Sequence, residues 1–152
     1  GTDILQNVEQ VMFADSAIQL SFSTKQMNLD GQVVTAFMGT GFDDLLRSSS
    51  APEVFVGLGG RDRFVLPENS GVDVIKDFTP GDAGDVLTLI LPAGESDGFN
   101  GTELASVDAI MAKGVQRGAD TVFDLGAGNE VKLVGVTLSD LSAGNFDLLA
   151  TF

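Results

Sequence analysis

Residues 39–65 read GTGFDDLLR (39–47), SSSAPEVFV (48–56) and GLGGRDRFV (57–65), three consecutive blocks of nine in one register. The sixth residue of each block is acidic (Asp44, Glu53, Asp62) and the eighth is large and apolar (Leu46, Phe55, Phe64). Early glycines permit a tight turn with positive φ. The acid closes that turn, and the apolar eighth residue falls on a short strand facing a core. With two blocks to a coil, residues eighteen apart stack on the same side. Asp44 and Asp62 are such a pair, and their turns are expected one strand spacing apart, roughly 4.8 Å. That spacing leaves room for an ion with oxygen ligands at about 2.3–2.6 Å. The middle block has no glycine, and Pro52 precedes its acid, so its side is expected to bind no ion, or to bind one only weakly through Glu53.

Composition narrows the chemistry. Across 152 residues, 22 Asp and Glu face 8 Lys and Arg, a formal charge of −14. Such a chain repels nucleic acid and anionic membrane, and neither is expected as a partner. No Cys means no disulfide or thiolate, and no His removes the commonest general base and transition-metal ligand. Trp and Tyr are absent as well. Oxygen donors remain in abundance, and they suit hard cations such as calcium. No apolar run approaches the roughly 20 residues of a membrane span, so no membrane insertion is expected. Gly1 is not an initiator methionine and no signal peptide follows it, which leads us to expect upstream domains of the same polypeptide.

Outward from the blocks, the pattern is mostly β. Val11 and Phe13, then Ile18, Leu20 and Phe22, alternate with small or polar residues around a turn at Asp15-Ser16. Asp30-Gly31 marks a turn before the strand-like run Val33 to Met38. Val72, Val74 and Phe78 flank Asp73 and Asp77, Pro80-Gly81-Asp82 is a turn, and Val86 to Leu91 reads as a buried strand. Residues 102–113 are the one good helix, with Leu104, Val107, Ile110 and Met111 on one face and Gly114 able to cap it. Thr121 to Leu125 and Val131 to Val136 follow as strands joined by a glycine-containing turn, before the apolar tail after Asp147. The expected division is a β-rich lead-in (1–38), the repeat (39–66), and a β-rich end (67–152).

Four motifs in order give the chain a resemblance. GTDILQNVEQVMFAD (1–15) is similar to a segment that often precedes repeat arrays in large secreted bacterial proteins. GLGGRDRFVL (57–66) looks like the last repeat of such an array. SGVDVIKDFTPGDAGDVLTL (70–89) resembles the stretch after it, and GADTVFDLGAGNEVKLVGVTLSDLSAGNF (118–146) the carboxy-terminal target domain of type I secretion substrates. The chain thus resembles the repeats-in-toxin, or hemolysin-type calcium-binding, family. That resemblance implies a mainly all-β fold: a short right-handed parallel β-roll with a β-rich carboxy-terminal cap and one short helix. It also implies calcium sites. Asp44 and Asp62 match the carboxylate positions, the carbonyls of Gly39, Gly41, Leu58 and Gly60 match the backbone positions, and Asp73 and Asp77 match acids that can close the last site. Thr40 and Phe42 depart from the pattern, each standing where the family has a glycine.

The resemblance further implies export by type I secretion machinery, with an uncleaved signal at the carboxy terminus that Asp147-Leu148-Leu149-Ala150 fits. The expected function is a calcium-binding folding and secretion module, not an enzyme, of a protein that is secreted or held at the cell surface. A structural or adhesive end module of a surface adhesin or surface-layer protein is the alternative. An enzyme using paired acids such as Asp43 and Asp44, or Asp82 and Asp85, is disfavoured because both pairs fall in turn motifs.

Overall fold

In the computed structural model, residues 23–91, 99 and 104–150 are described here. The predicted alternation around Val11, Phe13, Ile18, Leu20 and Phe22 lies outside them. The described chain is mostly β-strand with parallel sheets and one short helix, as the repeat predicts.

The strands are β1 (Ser23–Leu29), β2 (Gln32–Met38), β3 (Leu45–Arg47), β4 (Glu53–Val56), β5 (Arg63–Pro67), β6 (Val72–Ile75), β7 (Val86–Leu91), β8 (Gly114–Arg117), β9 (Asp120–Gly126), β10 (Asn129–Leu133) and β11 (Phe146–Ala150). From β2 to β7 the chain alternates between two sheets. One has the order β1-β2-β4-β6-β10-β9-β8 and the other β11-β7-β5-β3. Neighbours β2, β4, β6 and β10 run parallel, as do β3, β5, β7 and β11. This is the connectivity of a two-sided coil.

The nine-residue period appears directly in the register. Leu45 pairs with Arg63 and Thr35 with Glu53, in both cases eighteen residues apart. The step then lengthens to twenty (Val54 with Val74) and twenty-three (Arg63 with Val86). Each extra residue goes into the connecting turns, so strand pairing survives while the sequence repeat fades.

The eighth residue of each block does face the core. Leu46, Phe55 and Phe64 are buried there with Leu66, Ile75, Leu87, Leu89, Phe123 and Leu133. Phe37 stacks on Phe55 at 5.4 Å between centroids, and Phe55 meets Phe64 edge-on at 6.2 Å. Offset and edge-on pairs of this kind add about 0.5–1.5 kcal/mol each beyond area burial. On the other face of the larger sheet, Val34, Ala36, Val54 and Val74 form a smaller cluster, as alternation along a strand requires.

At the ends the roll is finished by antiparallel hairpins. β1 folds back on β2 through Asp30 and Gly31, whose φ values of 51° and 89° suit a two-residue hairpin turn. β8, β9 and β10 form a meander at the opposite edge.

The helix is shorter than its periodicity predicts. α1 spans Val107–Met111, with the Ser106 hydroxyl accepting from the Ala109 N–H as its cap. A serine able to cap at 106 starts the helix there; Leu104 is buried but precedes it, and residues 101–103 lie outside the described chain. Gly114 does not cap α1. It opens β8, and Ala112 occupies the C-cap. The strand expected to reach Val136 ends at Leu133.

Candidate metal site in the stacked turns

The turns between the sheets stack as the strands do, and their acids sit inside the stack. Asp44, Glu53, Asp62, Asp73 and Asp85 are all buried, Asp73 completely. Among the described residues none of the five forms a salt bridge. Their charges are met by backbone N–H groups and hydroxyls, and at Asp85 also by the nearby Arg61 guanidinium.

On one side of the roll, Asp62 Oδ1 accepts the N–H of Asp44 at 2.9 Å, and Asp85 Oδ1 accepts the N–H of Asp62 at 2.8 Å. Asp85 Oδ2 also accepts from the Thr79 N–H. Asn145 continues this stack, accepting from the Gly81 N–H and donating to the carbonyls of Gly81 and Asp85. On the other side, Asp73 Oδ1 accepts the N–H of Glu53 at 3.1 Å, and Asp73 Oδ2 accepts the Ser48 hydroxyl at 2.7 Å. Asn129 extends that stack by accepting from the Gly71 N–H. Each stack therefore runs through acids and passes to an asparagine at the capped end.

Asp77 lies in the next coil under the turn of residues 57–62. Its carboxylate accepts the N–H groups of Gly57 and Leu58 at 2.9 and 2.7 Å. Asp43, on the outer side of its own turn, accepts the N–H of Arg61.

Burial dominates the electrostatics. It pushes the Asp62 carboxyl up to about 6, against the hydrogen bond from Asp44 and with the help of the nearby charges of Asp85, Asp44 and Asp77. Asp73 is pushed up to about 7, again mainly by burial; the Ser48 hydroxyl and the Glu53 N–H pull it down, and the Glu53 charge raises it. Asp85 is also raised by burial, opposed by the N–H groups of Thr79 and Asp62. Carboxylates held above their ordinary range gain from a proton or from a cation.

The three turns are not equivalent. In residues 57–62, Leu58 has φ 75° and Gly60 φ 110°, the left-handed backbone at the second and fourth positions. A side chain at Gly60 would run into the backbone of Phe42 and Asp43, so the two glycine-bearing turns are in close contact. In residues 39–44, by contrast, neither Thr40 nor Phe42 has positive φ, and Phe42 is exposed. There Asp44 Oδ2 accepts both the N–H and the hydroxyl of Thr40. Residues 48–53 repeat that arrangement: Glu53 accepts the Ser49 N–H at 2.8 Å and its hydroxyl at 2.6 Å.

A hard cation requires an oxygen-only donor set. Turn 57–62 supplies one, with left-handed residues at Leu58 and Gly60 and the buried carboxylate of Asp62, and by this test its residues fit calcium. Of the other residues implied by the resemblance, Asp44 is stacked on Asp62, Asp77 lies beneath the turn, and Asp73 stands on the opposite side with Ser48 and Glu53. Gly39 packs against Asp44 Oδ2 and the Gly57 carbonyl, whereas Gly41 has open space where a side chain would be. Among the described residues no three acidic side chains converge as a ready-made cluster.

Ser49 and the two asparagines were not singled out from the sequence, Thr40 was noted only as a departure from the pattern, and Asp85 only as half of a disfavoured acid pair. The hydroxyls had a signal, since Thr40 and Ser49 each stand four residues before their acid at nine-residue spacing. Asp85 and the asparagines had none, because the turns there no longer keep the period.

No family model matches the chain, and no curated protein matches it. Among solved structures it is similar to the crystal structure of extracellular lipase LipA from Serratia marcescens, at 19% identity and a TM-score of 0.39. The overlay covers 82% of this chain and 26% of that one, about a quarter of the lipase's length.

Proposed function

We propose that this chain is a calcium-responsive folding module of a secreted protein, exported through type I secretion machinery. The observation that carries the reading is the buried carboxylate of Asp62, stacked between those of Asp44 and Asp85, with the Asp44 N–H as the donor against its charge. Turn 57–62 is the place for the ion, held by the Asp62 carboxylate with the carbonyls of Leu58 and Gly60. When bound, calcium would supply positive charge to the Asp62 carboxylate, which burial has made costly to ionise. At low calcium the acids repel one another and the −14 chain tends to stay open. Extracellular modules bind at about 10⁻⁴–10⁻³ M, so calcium at ten times the dissociation constant would add roughly 1.4 kcal/mol per site. Export is supported by the order of motifs in the sequence and by the apolar tail after Asp147.

A calcium titration read by thermal melting tests the module. Several millimolar calcium should raise the melting temperature, and magnesium at the same concentration should do much less, because magnesium dehydrates reluctantly and demands octahedral geometry. Asp62→Ala should lose more of the response than Glu53→Ala. A melting curve indifferent to calcium would remove the calcium reading and leave the fold intact.

A further inference from the structure

The turns of residues 39–44 and 48–53 share a small hydrogen-bonded motif that turn 57–62 lacks. In each, the hydroxyl at the second position donates to the acid four residues on: Thr40 to Asp44 at 2.9 Å, Ser49 to Glu53 at 2.6 Å. The N–H of the same residue donates to that acid as well. Each hydroxyl also accepts the N–H two residues ahead, from Phe42 at 3.3 Å and from Ala51 at 3.2 Å. The repeat is complete at nine-residue spacing, donor for donor. At the matching position turn 57–62 has Leu58, which has no hydroxyl and a left-handed backbone.

The geometry points to a division among the turns: Thr40 and Ser49 close their turns with a hydroxyl in place of a cation, so only turn 57–62 depends on calcium. This rests on the proposed calcium response and says where that response is confined. A buried carboxylate needs donors directed at it, which either a cation or a set of N–H and O–H groups can provide. The hydroxyl solution works without any ion and requires no left-handed residue, which is why Phe42 and Ala51 are tolerated two positions further on. The roll then has a part that folds unaided and a part that waits for calcium.

The test uses the whole chain, melted in calcium-free buffer with a chelator and again with calcium. Thr40→Val keeps the shape and removes the hydroxyl; it should lower the calcium-free melting temperature by roughly 3–6 °C. Ser49→Ala should lower it less, because Ser49 is more exposed. Thr40→Ser should melt as the parent does. In all three the midpoint of the calcium response should stay within about twofold of the parent, because a hydroxyl outside the ion site does not enter that equilibrium. The double variant Thr40→Gly, Phe42→Gly should gain one bound calcium per chain by calorimetry. If Thr40→Val and Ser49→Ala melt like the parent without calcium, the inference fails, whatever the response of turn 57–62. It fails too if Thr40→Val weakens the calcium response, since the hydroxyl then belongs to the ion site. If no variant responds to calcium, the proposed function falls, and the calcium-free melts still decide the role of the hydroxyls.

Discussion

Asp62 accepts the backbone N–H of Asp44 across one coil, 2.9 Å away and eighteen residues back in sequence. The same bond recurs from Asp85 to Asp62 and from Asp73 to Glu53, although those pairs are twenty-three and twenty residues apart. The side chain that closes one turn thus also ties it to the turn before. Packing these acids closely lets backbone amides from two coils serve one carboxylate, and it places like charges near one another in a poorly hydrated stack. Protons and cations therefore become part of the stability of the fold.

The pH dependence follows from Asp73 and Asp62. Their folded values, about 7 and about 6, lie above the ordinary 3.8, so between these limits the folded chain holds more protons than the unfolded one. Stability from this source is complete below about pH 4 and is lost as pH rises through 6 to 7. In calcium-free buffer the melting temperature should be roughly 5–10 °C higher at pH 5 than at pH 7.5. Asp73 faces the Ser48 hydroxyl and Glu53, with no cation among its partners. Asp73→Asn keeps Oδ1 as the acceptor for the Glu53 N–H, turns its amide NH2 to the Ser48 hydroxyl oxygen, and should flatten much of the profile. A melting temperature that instead rises from pH 5 to 7.5 would mean that the buried acids are compensated in some other way.

Two glycines of the stacked turns should behave in opposite ways. Gly60 has φ 110°, and an added side-chain carbon would lie 2.4 Å from the Phe42 carbonyl carbon and 2.6 Å from the Asp43 nitrogen. Gly60→Ala should cost about 2–4 kcal/mol, from backbone strain and from pushing two coils apart. Gly41 has nothing within 4 Å of that position and no positive φ, so Gly41→Ala should change stability by no more than about 0.5 kcal/mol. Urea unfolding of the two variants measures both. Equal losses would contradict the stacking of turn 57–62 on turn 39–44.

Much of the fold was readable because Leu46, Phe55 and Phe64 repeat at nine and each occupies the same core-facing place on its strand. Phe37 stands eighteen residues before Phe55 and stacks on it, yet its block has Thr35 where the others have an acid. Apolar alternation alone marked it as strand, without its place in the coil. The helix was overextended because Leu104, Val107, Ile110 and Met111 fit a helical face. Periodicity does not distinguish a buried residue before a helix from one inside it, and the Ser106 cap made that decision. The candidate site was half legible. The acids at the sixth position were evident, but the partners of Glu53 and Asp62 in later coils, Asp73 and Asp85, come at altered spacings. The asparagines that continue the stacks carry no charge to draw attention to them.

The carboxy-terminal strand yields the last prediction. β11 pairs in parallel with β7, from Phe146 opposite Leu87 to Ala150 opposite Leu91. Phe146 is 6% exposed and meets Phe123 edge-on at 5.3 Å, whereas Leu149 is 45% exposed. Arg63, in the strand leaving turn 57–62, donates to Asp147 at 2.6 Å and to the buried Thr88 hydroxyl at 3.1 Å, reaching across β7. Phe146→Ala should therefore cost about 3–5 kcal/mol, and Leu149→Ala little. Asp147→Ala should cost no more than about 1 kcal/mol, because both partners of that ion pair are partly exposed. If the tail also carries the export signal, residues 90–152 fused to a soluble passenger should direct it into the medium of a cell with a matching channel. Removing residues 146–152 should then abolish that export. Phe146→Ala separates the two roles: it empties a core position while leaving Asp147 and the residues after it in place, so export should persist as stability falls. Full export after the deletion would leave the tail as a core strand and nothing more, and loss of export with Phe146→Ala would make the aromatic ring part of what the channel reads.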